Sequence, residues 1–200
     1  MKFIIFGGST TIGKGDPENG GWAGRLRRHI ESRDESHTVF ILGIPGETTD
    51  GLKKRIKGEI KSRSITEGDL CLIAIGMNDS RMDDDGNNDV PKRRFKKNAK
   101  NIITKARKFT KDIMVIGPGS IDEKRTRPFK GKHYTNKSIV EYSNILEDMC
   151  AHDDVRYIRT YQENYRCANL SDGLHPNPEE HERRYIKILE QMDKEFSFNI

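Results

Sequence analysis

Apolar residues along this chain gather in two patterns. The first is the short run: FIIF at 3–6, TVFIL at 38–42, LCLIAI at 70–75, IMVI at 113–116 and VRYI at 155–158. Little polar alternation interrupts these runs, as expected of strands covered on both faces. The second is a stripe at helical spacing. Trp22, Leu26 and Ile30 stand four apart, as do Leu52, Ile56 and Ile60. Further stripes are Phe95, Ala99, Ile102, Ile103 and Ala106; Ile139, Tyr142, Leu146 and Met149; and Tyr185, Ile188, Leu189, Met192 and Phe196. Charge backs each stripe, so each predicted helix lies on a surface with one face inward. Run and stripe alternate five times. This predicts an α/β fold of three layers, αβα, around a five-stranded parallel sheet with right-handed crossovers. The expected strand order is 2-1-3-4-5. No internal repeat and no linker rich in Pro, Gly or Ser divides the chain, so residues 1–200 read as a single domain.

Composition changes this picture little. Charged residues make up 34% and the AVILMFWYC set 33%, but the apolar residues are clustered, so a core can form. The 36 basic residues nearly balance the 31 acidic ones, leaving +5, which does not single out an anionic partner. Met1-Lys2 is followed by only four apolar residues before a glycine, too short for a signal peptide, and no run approaches a membrane span. Cys71, Cys150 and Cys167 are widely spaced and odd in number, which fits neither a metal motif nor a disulfide framework. A cytoplasmic, reducing setting is the expectation.

Ligands of such sheets bind beyond the C-terminal ends of the strands. The loops there are 7–21, 43–48, 76–91, 117–135 and 159–177. They carry Gly7-Gly8-Ser9, Gly46 in GIPGET, Gly76-Met77-Asn78-Asp79, and Asp172-Gly173-Leu174-His175-Pro176. One sheet edge thus gathers a hydroxyl, glycine amides, a carboxamide, a carboxylate and an imidazole. That set suits acyl transfer to water. Ser9 is the candidate nucleophile and His175 the base that takes its proton. Asp172, three residues before, can fix the imidazole tautomer. The amides of Ser9 and Gly46 and the side chain of Asn78 are candidate donors to an oxyanion.

These blocks, in this order, resemble the SGNH hydrolases, also called GDSL esterases and lipases. Gly7-Gly8-Ser9 is similar to their Gly-Asp-Ser block, with Gly8 in place of the aspartate. LGIPGETT points to Gly46, Gly76-Met77-Asn78-Asp79 to Asn78, and Asp172 to Pro176 matches the Asp-x-x-His-Pro block in full. Gly-Trp-Ala-Gly-Arg-Leu (21–26) and Tyr134-Thr135-Asn136 are also similar to bacterial members. The likeness runs from about residue 2 to residue 192. It implies a flavodoxin-like sheet, a Ser-His-Asp triad, no metal and no cofactor, and a small-molecule ester or thioester as substrate. Gly8 leaves the rigidity of the Ser9 turn open.

Other readings compete. Gly8, Gly13 and Lys14 have the spacing of a phosphate loop, but Gly15 stands where Ser or Thr would hold magnesium. A binding protein that keeps the fold and has weak catalysis is an alternative, as is transfer of the acyl group to an alcohol. The basic run 92–97 suits nucleic acid less well than a solvated helix face, because Phe95 belongs to a stripe. Asp83-Asp84-Asp85-Gly86 fails as a calcium loop, because Arg81 and Lys92 fall at ligand positions. Loop 117–135, with Arg125, Arg127 and three lysines, would favour an anionic substrate if its charge faces the site.

Overall fold

A computed structural model describes residues 1–163 and 169–196. Cys167 and the side chain of Phe196 lie outside the described set. The five strands are β1 (Lys2–Gly7), β2 (Thr38–Gly43), β3 (Leu70–Ala74), β4 (Ile113–Ile116) and β5 (Arg156–Ile158). They form one parallel sheet in the order β2-β1-β3-β4-β5, as the sequence predicts. The helices are α1 (Gly21–Arg33), α2 (Thr49–Ser62), α3 (Lys92–Ala106), α4 (Asn136–His152) and α5 (Pro178–Phe196). Each follows one of the predicted stripes.

The two-residue period of the strands divides the core. Ile4, Phe6, Cys71, Ile73 and Val115 point to the face covered by α2, α3 and α4, where they meet Ile56, Phe95 and Tyr142. Phe3, Ile5, Leu72, Met114 and Ile116 point to the other face and meet Trp22, Leu26 and Ile30 of α1 and Ile188 and Met192 of α5. Burial on both faces explains why the runs lack polar alternation. Cys71 is buried there, and burial pushes its thiol far up. Strand ends differ from the apolar runs by one residue: Ile75 falls outside β3, and Val155 turns back to bond the Cys150 carbonyl at 2.9 Å. Among the described residues no helix is long and apolar enough to cross a membrane.

Phe95 is fully buried, and the basic residues around it are exposed, so the run at 92–97 is the outer face of α3. Lys92 pairs with Glu141 at 2.6 Å and Arg94 with Asp50 at 3.3 Å.

Candidate active site

Ser9 sits in the turn that leaves β1. A Cβ at Gly7 would overlap Thr11 Oγ1, so the chain folds back here only with glycine. Backbone bonds hold the turn: Thr11 N–H to Gly8 O at 3.1 Å, Gly13 N–H to Thr10 O at 3.2 Å, and Lys14 N–H to Ser9 O at 3.0 Å. These bonds brace the turn without a side chain at position 8. A Cβ on Gly8 would stand 3.1 Å from Asn78 Nδ2, so the carboxamide lies close against this glycine.

No helix starts at Lys14. Turns continue to Gly20 and α1 begins at Gly21, while Lys14 is exposed. A phosphate loop needs helix amides directly after its lysine, and none are there.

Asp172 and His175 lie between β5 and α5. The loop is closed by Ser171 N–H to His175 O at 2.8 Å. Asp172 Oδ1 accepts the amides of Leu174 at 3.1 Å and His175 at 2.9 Å. Its Oδ2 lies 2.7 Å from His175 Nδ1, and His175 Nε2 lies 2.9 Å from Ser9 Oγ. Three residues, the outermost 166 positions apart, thus form one hydrogen-bonded line at the C-terminal edge of the sheet.

The surroundings set the charges. Burial lowers the pKa of His175 below the ordinary imidazole value. The hydrogen bond and charge of Asp172 oppose that, while Lys14 and Lys130 add to it. Burial also works against ionised Asp172, but the bonds from His175 and from the Leu174 amide outweigh it and hold its carboxyl below the usual range. The ring of Phe129 approaches His175 at 6.0 Å between centroids and helps to dry it.

Asn78 leaves β3, and its Nδ2 donates to Glu47 O at 2.9 Å. Gly46 takes the third place of a turn closed by Glu47 N–H to Ile44 O at 3.1 Å; its φ of 78° is why glycine stands after Pro45. Ile44 N–H donates to Gly7 O at 2.9 Å, which ties this turn to the end of β1. Among the described residues neither the Ser9 nor the Gly46 amide donates to a protein acceptor. A narrow cavity of about 60 Å³ adjoins Ser9; Gly8, Asn78 and Glu47 are on its wall, and Gly46 and His175 are not.

Several contacts here have no sequence signal. His181 is fully buried: its Nδ1 accepts the Trp22 amide at 3.1 Å and its Nε2 donates to Lys14 O at 3.0 Å. Burial lowers its pKa to about 4. Asp79 is buried beside Asn78 and accepts Thr49 N–H at 2.8 Å and Thr49 Oγ1–H at 2.6 Å. Burial raises Asp79 to about 6 against those bonds. Arg125 donates to the carbonyls of Leu170 at 3.3 Å and Ser171 at 2.8 Å, so its guanidinium braces the loop that carries Asp172 and His175. Arg127 pairs with Glu123 at 3.6 Å.

A parallel α/β sheet with hydroxyl, imidazole and carboxylate in line at its C-terminal edge is a layout suited to acyl hydrolysis. Residues 5–183 match the GDSL-like Lipase/Acylhydrolase family, and the chain belongs to it. That family makes it an ester hydrolase by class. The fold is shared with a lipase/acylhydrolase from Enterococcus faecalis at TM-score 0.78 and 23% identity, over 96% of this chain and 95% of that one. Axe2, an acetylxylan esterase from Geobacillus stearothermophilus, superposes at TM-score 0.73 and 18% identity, over 96% and 93%. A curated relative, the uncharacterized protein YpmR of Bacillus subtilis (strain 168), is 31% identical over 75 residues, a stretch that spans 36% of this chain and 29% of that protein.

Proposed function

We propose that the protein hydrolyses small carboxylic esters with short acyl groups through an acyl-enzyme on Ser9. In this reading His175 Nε2 takes the Ser9 proton as Oγ bonds to the carbonyl carbon. The carbonyl oxygen gains the electron pair and is met by the amides of Ser9 and Gly46 and by Asn78 Nδ2. Collapse expels the alcohol, which leaves with the proton from His175. Water then repeats the sequence: His175 accepts its proton, hydroxide bonds to the acyl carbon, and Ser9 departs reprotonated with release of the acid. Asp172 holds the tautomer and balances the transient imidazolium.

The hydrogen-bonded line from Ser9 through His175 to Asp172 carries this reading. The cavity supports the short acyl group. At about 10–15 Å³ for one water on the same measure, 60 Å³ admits only a handful of heavy atoms. The test is an alkyl fluorophosphonate followed by peptide mass mapping, beside p-nitrophenyl acetate turnover. The wild-type protein is expected to be labelled at Ser9, and Ser9→Ala to lose both labelling and turnover while staying folded by circular dichroism. A folded wild-type protein that neither labels nor turns over would point instead to a binding protein.

A further inference from the structure

We infer that the cavity beside Ser9 is an anion pocket, and that Arg184 selects esters whose acyl group ends in a carboxylate. The inference rests on the Ser9 reading above and deepens it. Arg184 projects from α5, and its side chain is only 10% exposed. Its Nε donates to Glu180 Oε1 at 3.1 Å. The other oxygen of Glu180 receives Arg183 Nη1, also at 3.1 Å. One buried carboxylate therefore faces two guanidinium groups, and a positive charge is left over.

Nη1 and Nη2 of Arg184 have no partner among the described residues. They lie against Gly119, where a Cβ would overlap Nη2 and stand 3.2 Å from Nη1. Both Gly119 and Arg184 are on the wall of the cavity that Ser9 adjoins. Nη1 and Nη2 are not sealed off, as His29 Nε2 and His37 Nδ1 are, so these charged donors are accessible to a ligand. A carboxylate could take both Nη groups in the bidentate geometry the planar fork prefers. Glu47, the acidic residue on the same wall, is already held by Arg55 Nε at 2.7 Å, so it does not cancel the field.

The cavity belongs to the acyl side. His175 must protonate the leaving alcohol, and it is not on this wall. The group that stays on Ser9 through both half-reactions is the one an enclosed pocket suits. The volume fits about five heavy atoms by the measure above, which matches two methylenes and a carboxylate.

The probe pair is monomethyl succinate and methyl 4-methylpentanoate, alike in shape and unlike in charge. A pH-stat gives kcat/KM for each. The wild-type protein should favour the charged ester roughly tenfold or more, the scale of a charge-assisted hydrogen bond. Arg184→Met/Glu180→Gln removes the pair together, so that no lone carboxylate stays buried, and should erase that ratio. Calorimetry of monomethyl succinate with Ser9→Ala protein, with and without the double substitution, reads the same contact without turnover. Binding that vanishes with Arg184 supports the pocket even if Ser9 proves inert, which would sink only the catalytic reading. Equal turnover of the two esters, a preference that survives loss of Arg184, or no binding to Ser9→Ala would each overturn the pocket.

Discussion

His175 shows how two opposed effects fix one residue's chemistry. Burial disfavours the imidazolium, and Asp172 favours it; burial prevails, so the folded pKa lies below the ordinary value. The imidazole is then neutral at neutral pH, as the proposed base has to be. Activity should fall only as pH drops through that lowered value, below about 6.5. The sign for a variant follows. Asp172→Asn removes the contributions that raise the pKa, so the acid limb should move to still lower pH. The plateau should also fall, by about 10⁴-fold where the wrong tautomer is left. Profiles of kcat/KM from pH 4 to 8 with a short ester check both. A limb that stays in place would mean that Asp172 does not govern the imidazole.

Elements deliver these residues, and periodicity made the elements legible. The stripes at 22–30, 52–60, 95–106, 139–149 and 185–192 all became inward faces, because a helix on a sheet needs one apolar stripe. The loop residues Ser9, Asn78, Asp172 and His175 could be gathered at one edge because a parallel sheet sets all its strand ends alike. Side-chain ties between loops had no such regularity. Nothing in the spacing pairs Asp79 with Thr49, or Arg184 with the room beside Gly119. Those are meetings of distant segments, and only the fold creates them. Asn78 belongs to both kinds: its place after β3 is readable, and its bond to Glu47 O across to the β2–α2 loop is not. Loss of this side chain should therefore register twice. Asn78→Ala is expected to lower kcat by roughly 10²–10³, the usual effect of one oxyanion donor. It should also cost about 1 kcal/mol in urea unfolding for the lost tie. A change confined to KM would make Asn78 a substrate contact instead.

At the scale of the whole molecule, His181 pins three segments that the strand order leaves separate. One ring joins α5 to the Lys14 carbonyl and to the first turn of α1. Space is tight enough that a Cβ at Gly21 would stand 2.8 Å from the ring. The ring must stay neutral, since Nδ1 accepts from Trp22 and a proton there would face another N–H. Burial accordingly sets its folded pKa to about 4, against an unfolded value near 6.5. Between those values the unfolded chain binds the extra proton and the folded one does not. The stability is thus fully present above pH 6.5 and is lost as pH falls toward 4, by about 3 kcal/mol in all. Glutamine can accept from Trp22 and donate to Lys14 without titrating. His181→Gln should therefore show a flatter fall of the urea midpoint between pH 7 and pH 4 than the wild-type protein. If the two curves ran parallel, the acid lability of the fold would have to come from other groups, and His181 would be only a passive link between α5 and the Ser9 turn.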